Sequence, residues 1–172
     1  LILVARSTNK LLDIQQELIS KTKVEVHCFS IDLSEPNAAQ KLYDTIKQQN
    51  YVVTGLINNA GFGDYGNFVE MPLKNDEDMI AVNITALVGL TKLFAADMVK
   101  IGRGKIMNVA SLLSFLPFPY YSVYSATKSL IKVIRGGVLP DFNWALENPI
   151  HGYGDLIPES EKEMAWVKKE LD

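Results

Sequence analysis

The hydrophobic positions of this chain alternate between short apolar runs and longer segments with helical spacing. Short runs of apolar and β-branched residues are typical of strands buried on both faces of a parallel sheet. Apolar residues that recur every three or four positions are typical of helices with one buried face. The runs predict four strands, at 1–5, 24–29, 52–57 and 105–109. The spacing predicts four helices, at 9–20, 35–49, 76–100 and 122–135.

The order of these elements indicates an α/β fold, because strands that alternate with helices form a parallel sheet covered by helices on both faces. Ser34 and Pro36 suit the N-cap and first turn of the second helix. Ligands of such sheets bind beyond the carboxyl ends of the strands. Candidate site residues fall at or just past those ends, and they are Arg6, Asp32, the turn 58–61 and Ser111.

The pattern changes after Gly137. The segment 138–158 contains three prolines and three aromatic residues with little periodicity, which indicates loop or extended chain. The segment 158–171 has glutamates early and lysines late, an order that suits a helix dipole. We therefore predict a core at 1–137 and a divergent extension with a terminal helix at 138–172.

Composition narrows the function classes. The net charge of −3 comes without a basic run, so no nucleic-acid binding is expected. The single cysteine, Cys28, fits a reducing compartment, and the first residues carry no recognisable secretory signal, so a cytoplasmic protein is expected.

The apolar stretch 80–99 includes Asn83, Lys92 and Asp97, which argues against a membrane span and for a buried or dimer-forming helix. With two histidines far apart in the sequence, no metal site is expected.

Tyr124 and Lys128 are the candidate chemical centre. Four residues apart in YSATK, they lie on one face of the predicted helix. An isolated phenol loses its proton only near pH ~10, and a nearby ammonium favours the phenolate. Ser111 ends a predicted strand thirteen residues earlier, where its hydroxyl could bind a substrate oxygen. A tyrosine and a lysine at this spacing are common on ordinary helices, so the context matters.

Four motifs in register supply that context. They are NNAG at 58–61, Val82 with Asn83, NVAS at 108–111 and YSATK at 124–128. In order and spacing, from residue 1 to about 133, the chain resembles the short-chain dehydrogenase/reductase family. The resemblance implies a Rossmann-like doubly wound parallel sheet and hydride transfer between a nicotinamide cofactor and a carbonyl carbon.

The resemblance also implies roles for single residues. Tyr124 would be the acid/base at the substrate oxygen, and Lys128 would favour its phenolate and bind the nicotinamide ribose. Ser111 would hold the substrate oxygen. Asn83 would bend its helix and hold a water that links Lys128 to solvent.

The end of the first strand bears on the cofactor. An acid there suits the ribose 2′-hydroxyl of NAD, whereas an arginine suits a 2′-phosphate. Ala5 stands in the acid's position and Arg6 follows, so the resemblance favours NADP(H), although Arg6 could equally be a solvated loop residue. The resemblance adds adenine and ribose contacts at Asp32, Leu33, Asn59, Ala60 and Gly61.

Two departures from the family are visible. Its members begin with a strand and a glycine-rich turn that binds pyrophosphate, and this sequence starts at the counterpart of their second strand. The sheet is therefore expected to have a gap unless its strands re-pair or another segment fills it. Relative to the family, the fold is therefore expected to be incomplete at the N-terminus and divergent at the C-terminus. Gly61, Gly63 and Gly66 match a phosphate-loop pattern, but no helix opens at the third glycine, and a turn bordering the active site is preferred.

Three functions remain open from the sequence. The leading hypothesis is an NADP(H)-dependent oxidoreductase that interconverts a ketone or aldehyde and an alcohol. The alternative is a catalytically idle module that associates through the long helix and the tyrosine-bearing helix, which the family uses in homo-oligomers. A nucleotide-sugar epimerase or dehydratase shares the tyrosine–lysine spacing and is less compatible with the NNAG turn.

Overall fold

The computed structural model describes residues 1–115 and 118–135. The strands alternate with helices as predicted. The strands are β1 (Ile2–Ala5), β2 (His27–Ser30), β3 (Gly55–Asn58) and β4 (Lys105–Asn108). The helices are α1 (Thr8–Lys21), α2 (Ala38–Gln48), α3 (Leu73–Ile80), α4 (Leu87–Lys100) and α5 (Ser122–Arg135). The predicted boundary at 137 and the extension 138–172 lie outside the described residues.

The strands form two parallel pairs. β1 pairs with β2 from Ile2 opposite His27, and β3 pairs with β4 from Gly55 opposite Lys105. Within the described ranges no ladder joins β1 to β3, so the strands make two two-stranded sheets. The gap expected in the family's sheet is therefore present, and it lies between β1 and β3.

A shared hydrophobic core holds both sheets. Its buried residues come from α2 and α4, and they are Leu42, Ile46, Leu90, Phe94 and Met98. Apolar residues of all four strands pack against this cluster, and they are Ile2, Val4, Phe29, Leu56 and Ile106. Full burial of such a side chain contributes about 1.5–3 kcal/mol. The two sheets are therefore held by the same helices without pairing to each other.

Helix α1 covers the opposite face of the first sheet. Successive residues of a strand point to opposite faces, and Phe29 packs on the core cluster while the Sγ of Cys28 lies 3.5 Å from the carbonyl of Leu11 in α1. The predicted α/β fold with helices on both faces of a parallel sheet is confirmed.

Two strands begin later than their residue types predict. β2 starts at His27 rather than at 24, where the His27 amide donates to the carbonyl of Leu1. β3 starts at Gly55 rather than at 52 because its ladder partner, β4, begins only at Lys105. For β3 the length of the partner strand, and not β-propensity, sets the boundary.

The predicted start of α2 is wrong. The helix begins at Ala38 with Asn37 as N-cap, and Asn37 has a positive φ of 61°. Ser34 is instead held in the preceding turn, because its amide and hydroxyl both donate to Oδ1 of Asp32. Such local side-chain bonds compete with capping.

The long helix starts at Leu73, three residues before the prediction, and is interrupted by a π-helical segment at Ala81–Ala86. Wider π turns of this kind are frequent at functional sites. Asn83, the residue expected to bend this helix, lies inside the segment.

Candidate active site

Helix α5 presents Tyr124 and Lys128 side by side. The Nζ of Lys128 lies 5.9 Å from the centroid of the Tyr124 ring and donates to the carbonyl of Val109 at 3.0 Å. Lys128 is buried, whereas Tyr124 is half-buried. Burial lowers the pKa of Lys128 because the charged form loses hydration. A phenol that a ligand can reach therefore stands beside a desolvated amine.

Asn83 joins this helix to the loop that follows β3. Its side chain is fully buried; Oδ1 accepts from the amide of Phe62 at 3.1 Å, and Nδ2 donates to the carbonyl of Phe62 at 2.9 Å. Nδ2 also donates to Oγ1 of Thr127 at 3.0 Å, and Thr127 donates to the carbonyl of Tyr124 at 2.8 Å. The amide therefore fixes the loop and the Tyr124 turn of α5 relative to each other.

The glycines of that loop permit its close approach to the same group. A Cβ on Gly61 would lie 2.9 Å from Oδ1 of Asn83 and 3.2 Å from Nζ of Lys128. A Cβ on Gly63 would lie 2.8 Å from the Tyr124 ring. The turn therefore lies against Asn83, Lys128 and Tyr124, and its glycines permit this close approach.

Ser111 lies just past β4 and caps the short 3₁₀ turn Leu112–Ser114. Its Oγ accepts from the amide of Leu113 at 3.2 Å, which leaves its own proton able to donate to a ligand. The turn is attached to α5, because the hydroxyl of Ser114 donates to the carbonyl of Lys128 at 3.0 Å. Ser111 is thereby positioned from the helix that carries Tyr124.

Asn58 connects the carboxyl ends of the second pair of strands. Its Nδ2 donates to Oγ1 of Thr91 at 2.9 Å and to Oδ1 of Asn108 at 2.8 Å. The NNAG and NVAS turns, which begin at Asn58 and Asn108, are thus held at a fixed spacing. Buried amides with both protons bonded are specific anchors.

The residues expected to bind the cofactor are less strongly organised. Arg6 and Asp32 meet at the ends of β1 and β2, with 3.8 Å between Nη1 and Oδ2. The backbone hydrogen bond from Ser34 and then its hydroxyl lower the pKa of Asp32, with Arg6 adding less. Leu33 packs against the core, and the turn 59–61 is exposed. Within 1–115 and 118–135 no hydrogen bond or ion pair links Arg6 or Asp32 to the Tyr124 group.

Thr127 and Ser114 were not singled out from the sequence. Both connect Tyr124 and Lys128 to neighbouring elements. The sequence indicated a role for Thr127 only weakly, because it is a polar residue between Tyr124 and Lys128 whose side chain turns toward the core on a helix. It indicated none for Ser114, since its role depends on how the 3₁₀ turn packs.

Comparison with known proteins agrees with this arrangement. The chain matches the short chain dehydrogenase family over residues 1–135. It therefore belongs to the short-chain dehydrogenase family, a class of oxidoreductases, and the resemblance inferred from the four motifs is confirmed.

Curated relatives include very-long-chain 3-oxoacyl-CoA reductases. The human protein is 32% identical over 136 residues, which are 76% of this chain and 42% of the relative. The protein of Coccidioides immitis is 34% identical over 137 residues, 77% of this chain and 39% of the relative. The chain thus spans about two fifths of the length of these relatives.

Solved structures show the same fold with cofactor. A short-chain dehydrogenase from Sphingobium yanoikuyae in complex with NADPH has a TM-score of 0.74 at 30% identity, covering 85% of this chain and 56% of that one. A metagenomic short-chain oxidoreductase in complex with NADP has a TM-score of 0.76 at 26% identity, covering 83% and 64%. Nicotinamide cofactors with the 2′-phosphate are therefore bound by proteins of this fold.

The predicted cytoplasmic location is wrong. The matched relatives are reductases of very-long-chain 3-oxoacyl-CoA, and long acyl chains partition into membranes because each buried methylene contributes about 0.8 kcal/mol. The described part of the chain also contains one helix, Leu73–Lys100, that is long and apolar enough to cross a membrane. Half of its most apolar stretch is buried inside the fold, as core helices also are. These findings contradict a purely cytoplasmic assignment.

Proposed function

We propose that this chain is an NADP(H)-dependent oxidoreductase that interconverts a ketone or aldehyde and an alcohol, with Tyr124 as the acid/base. The observation that carries the proposal is the hydrogen-bonded group around Tyr124. Lys128 stands beside its ring, and Asn83 and Thr127 fix its helix turn. Hydrogen bonds that fix the helix turn bearing a reactive side chain are typical of preorganised catalytic sites.

The chain's own residues divide the proton chemistry between them. In the reducing direction, the hydroxyl of Tyr124 donates its proton to the carbonyl oxygen of the substrate. The hydroxyl of Ser111 donates a hydrogen bond to the same oxygen and orients it. The ammonium of Lys128 favours the phenolate that remains on Tyr124.

The cofactor would supply the hydride. Several residues fit such a cofactor on their chemistry. Arg6 offers an exposed cation whose pairing with Asp32, at 3.8 Å, a 2′-phosphate could replace. Lys128 keeps N–H donors for a ribose beyond its bond to Val109. The remaining contacts proposed for the adenine and ribose are Asp32, Leu33, Asn59, Ala60 and Gly61.

The role proposed for Asn83 changes in one respect. Sequence resemblance assigned it a water that links Lys128 to solvent. Its side chain uses Oδ1 and both Nδ2 protons on Phe62 and Thr127. We assign the side chain to positioning, and the second lone pair of Oδ1 and the backbone of the π-helical segment stay available for a water.

The test is the variant Tyr124→Phe. Loss of the hydroxyl should reduce turnover of a carbonyl substrate by about 10²–10⁴-fold, the range for one acid/base group. The ring and its packing stay, so the circular dichroism spectrum and melting temperature should stay close to those of the parent. Tyr51→Phe, remote from the site and bonded to His27, is the matched control and should retain turnover. Undiminished NADPH oxidation by Tyr124→Phe would overturn the mechanism.

A second function is favoured by one observation on the other side of α5. An open groove of about 610 Å³ runs along small residues of this helix, and they are Ser122, Ser125, Ala126 and Ser129. The Oγ of Ser125 is buried with no hydrogen-bond partner among the described residues. A second copy of the chain packed on this face of α5 would serve association rather than catalysis. A dimer that binds neither NADPH nor NADH would be its signature.

A further inference from the structure

Ser114 lies at the centre of a hydrogen-bonded group that joins the 3₁₀ turn Leu112–Ser114 to α5. Its Oγ accepts from the amide of Ser111 at 3.2 Å and donates to the carbonyl of Lys128 at 3.0 Å. Its carbonyl accepts from the hydroxyl of Ser129 at 3.1 Å, one position further along the helix. Two successive residues of α5 are therefore bonded to the one residue that also holds Ser111.

The hydroxyl of Ser114 is buried and bonded in both directions. The residue is 8% exposed, so water competes little for its hydrogen bonds. A hydroxyl has one proton to donate and lone pairs to accept with, and here the proton is used on Lys128 and a lone pair on Ser111. Replacement of Ser114 by alanine would remove both bonds at once and leave the Ser111 amide without its partner.

The turn holds the side chain of Ser111 as well as its backbone. Ser111 and Ser114 form a reciprocal capping box, and within it the Oγ of Ser111 accepts from the amide of Leu113 at 3.2 Å. The amide of Ser114 adds a bond to the carbonyl of Ser111 at 3.0 Å. The position of the Ser111 hydroxyl is therefore set by how this turn is held.

Lys128 holds the segment around Ser111 at two points. Its Nζ donates to the carbonyl of Val109, two residues before Ser111, and its own carbonyl accepts from Ser114, three residues after Ser111. The same Nζ lies 5.9 Å from the centroid of the Tyr124 ring. A shift of Ser111 relative to Tyr124 must therefore break or lengthen one of these two bonds.

We propose that Ser114 is a positioning residue of the candidate active site, whose hydroxyl sets where the Ser111 hydroxyl lies relative to Tyr124. The inference rests on the proposed function, because the position of Ser111 matters to the reaction only if its hydroxyl binds the substrate oxygen. Ser114 acts through Ser111 and needs no contact with the substrate. Loss of the Ser114 hydroxyl should therefore reduce activity only while Ser111 keeps its own.

The first experiment measures the orientation of Ser111 in the chain alone, from its three-bond Hα–Hβ couplings and its amide exchange by NMR. The parent should show the couplings of a single rotamer, and Ser114→Ala should show averaged couplings with amide exchange of Ser111 about 5-fold faster, as for one lost hydrogen bond. Ser114→Thr keeps the hydroxyl and should behave as the parent. Ser129→Ala removes the other bond between the turn and α5 and should move the couplings in the same direction.

The matched control is Ser20→Ala, which removes a hydroxyl-to-carbonyl bond near the end of α1 and should leave Ser111 unchanged. Couplings and amide exchange of Ser111 that stay at the parent values in both Ser114→Ala and Ser129→Ala would overturn the proposal.

Turnover of cyclohexanone with NADPH separates this inference from the proposed function. Ser114→Ala should lower kcat/KM by up to about 100-fold, as a displacement of about 1 Å at a reacting group does. The double variant with Ser111→Ala should be no slower than Ser111→Ala alone, because the two residues act as one unit. Losses that multiply in the double variant would overturn the positioning role. A Ser111 side chain that depends on Ser114, without turnover by any variant, would sink the oxidoreductase and leave the positioning of Ser111 standing.

Discussion

The buried ammonium of Lys128 determines what surrounds Tyr124. Desolvation works against its charge, and the carbonyl of Val109 offsets part of that cost. The ammonium lies between the carbonyl of Val109 and the turn at Gly61, where an added Cβ would come within 3.2 Å of it. Small residues around the site are therefore as necessary as the ionisable ones.

Gly63 gives a prediction at this scale. In Gly63→Ala the new methyl group would meet the Tyr124 ring at 2.8 Å, so the ring must move. A displacement of about 1 Å at a reacting group costs up to about 100-fold, and we expect kcat/KM to fall about 10- to 100-fold with little change in melting temperature. Gly55→Ala is the control, because no atom lies within 4 Å of its added Cβ. Equal activity of the two variants would show that Tyr124 is not constrained by this loop.

Single residues were partly predictable. The YSATK spacing alone identified Tyr124 and Lys128 as neighbours, because a helix brings positions four apart together. The same sequence could not show that Asn83 bonds Phe62 and Thr127, since those contacts join segments 21 and 44 residues apart.

At the scale of elements, α2 and α4 are joined by a polar network at the edge of the core. The carboxylate of Asp97 accepts from the hydroxyl of Tyr43 and from Nζ of Lys47, both at 2.9 Å. Lys47 and then Tyr43 lower the pKa of Asp97 below its ordinary value of 3.8. The network fixes the register of the two helices that support both sheets.

A pH dependence follows for this contact. Because the pKa of Asp97 is lower in the folded chain than in the unfolded one, its stabilisation is present above pH 3.8 and is lost as the pH falls through the folded pKa. Asp97→Asn should therefore be less stable than the parent at neutral pH, by about 1 kcal/mol or less for a hydrogen bond of this kind. The difference should shrink below pH 3.8. Urea unfolding of both proteins across this range measures it, and a difference that persists unchanged in acid would contradict the assignment.

Elements were predicted more reliably than their ends. The helices α1 and α5 match the periodicity within one residue, because their apolar faces extend over several turns. The start of α2 was misplaced because Asp32 binds Ser34 in the turn before the helix. Strand ends depended on partner strands that residue types do not specify.

The described part of the chain, residues 1–115 and 118–135, is organised around two sheets that share helices but not a ladder. This arrangement follows from the order of motifs, because the segment that begins the family's sheet has no counterpart among residues 1–115. The chain spans about two fifths of the length of its curated relatives, and the proposed cofactor site is assembled from Arg6, Asp32 and the turn 59–61. The prediction of a cytoplasmic location was wrong because the composition of a chain does not indicate its substrate.

Titration of this chain with NADPH and with NADH, followed by nucleotide fluorescence, tests the central claim most directly. We expect saturable binding of NADPH that exceeds binding of NADH, because Arg6 can pair with the 2′-phosphate. Arg6→Ala should weaken NADPH binding about 10-fold, the lower range for a charge-assisted hydrogen bond, and leave NADH unchanged. Arg103→Ala, at an exposed position beyond α4, should alter neither. Folded protein that binds neither nucleotide, or both equally with and without Arg6, would contradict an NADP(H)-dependent oxidoreductase.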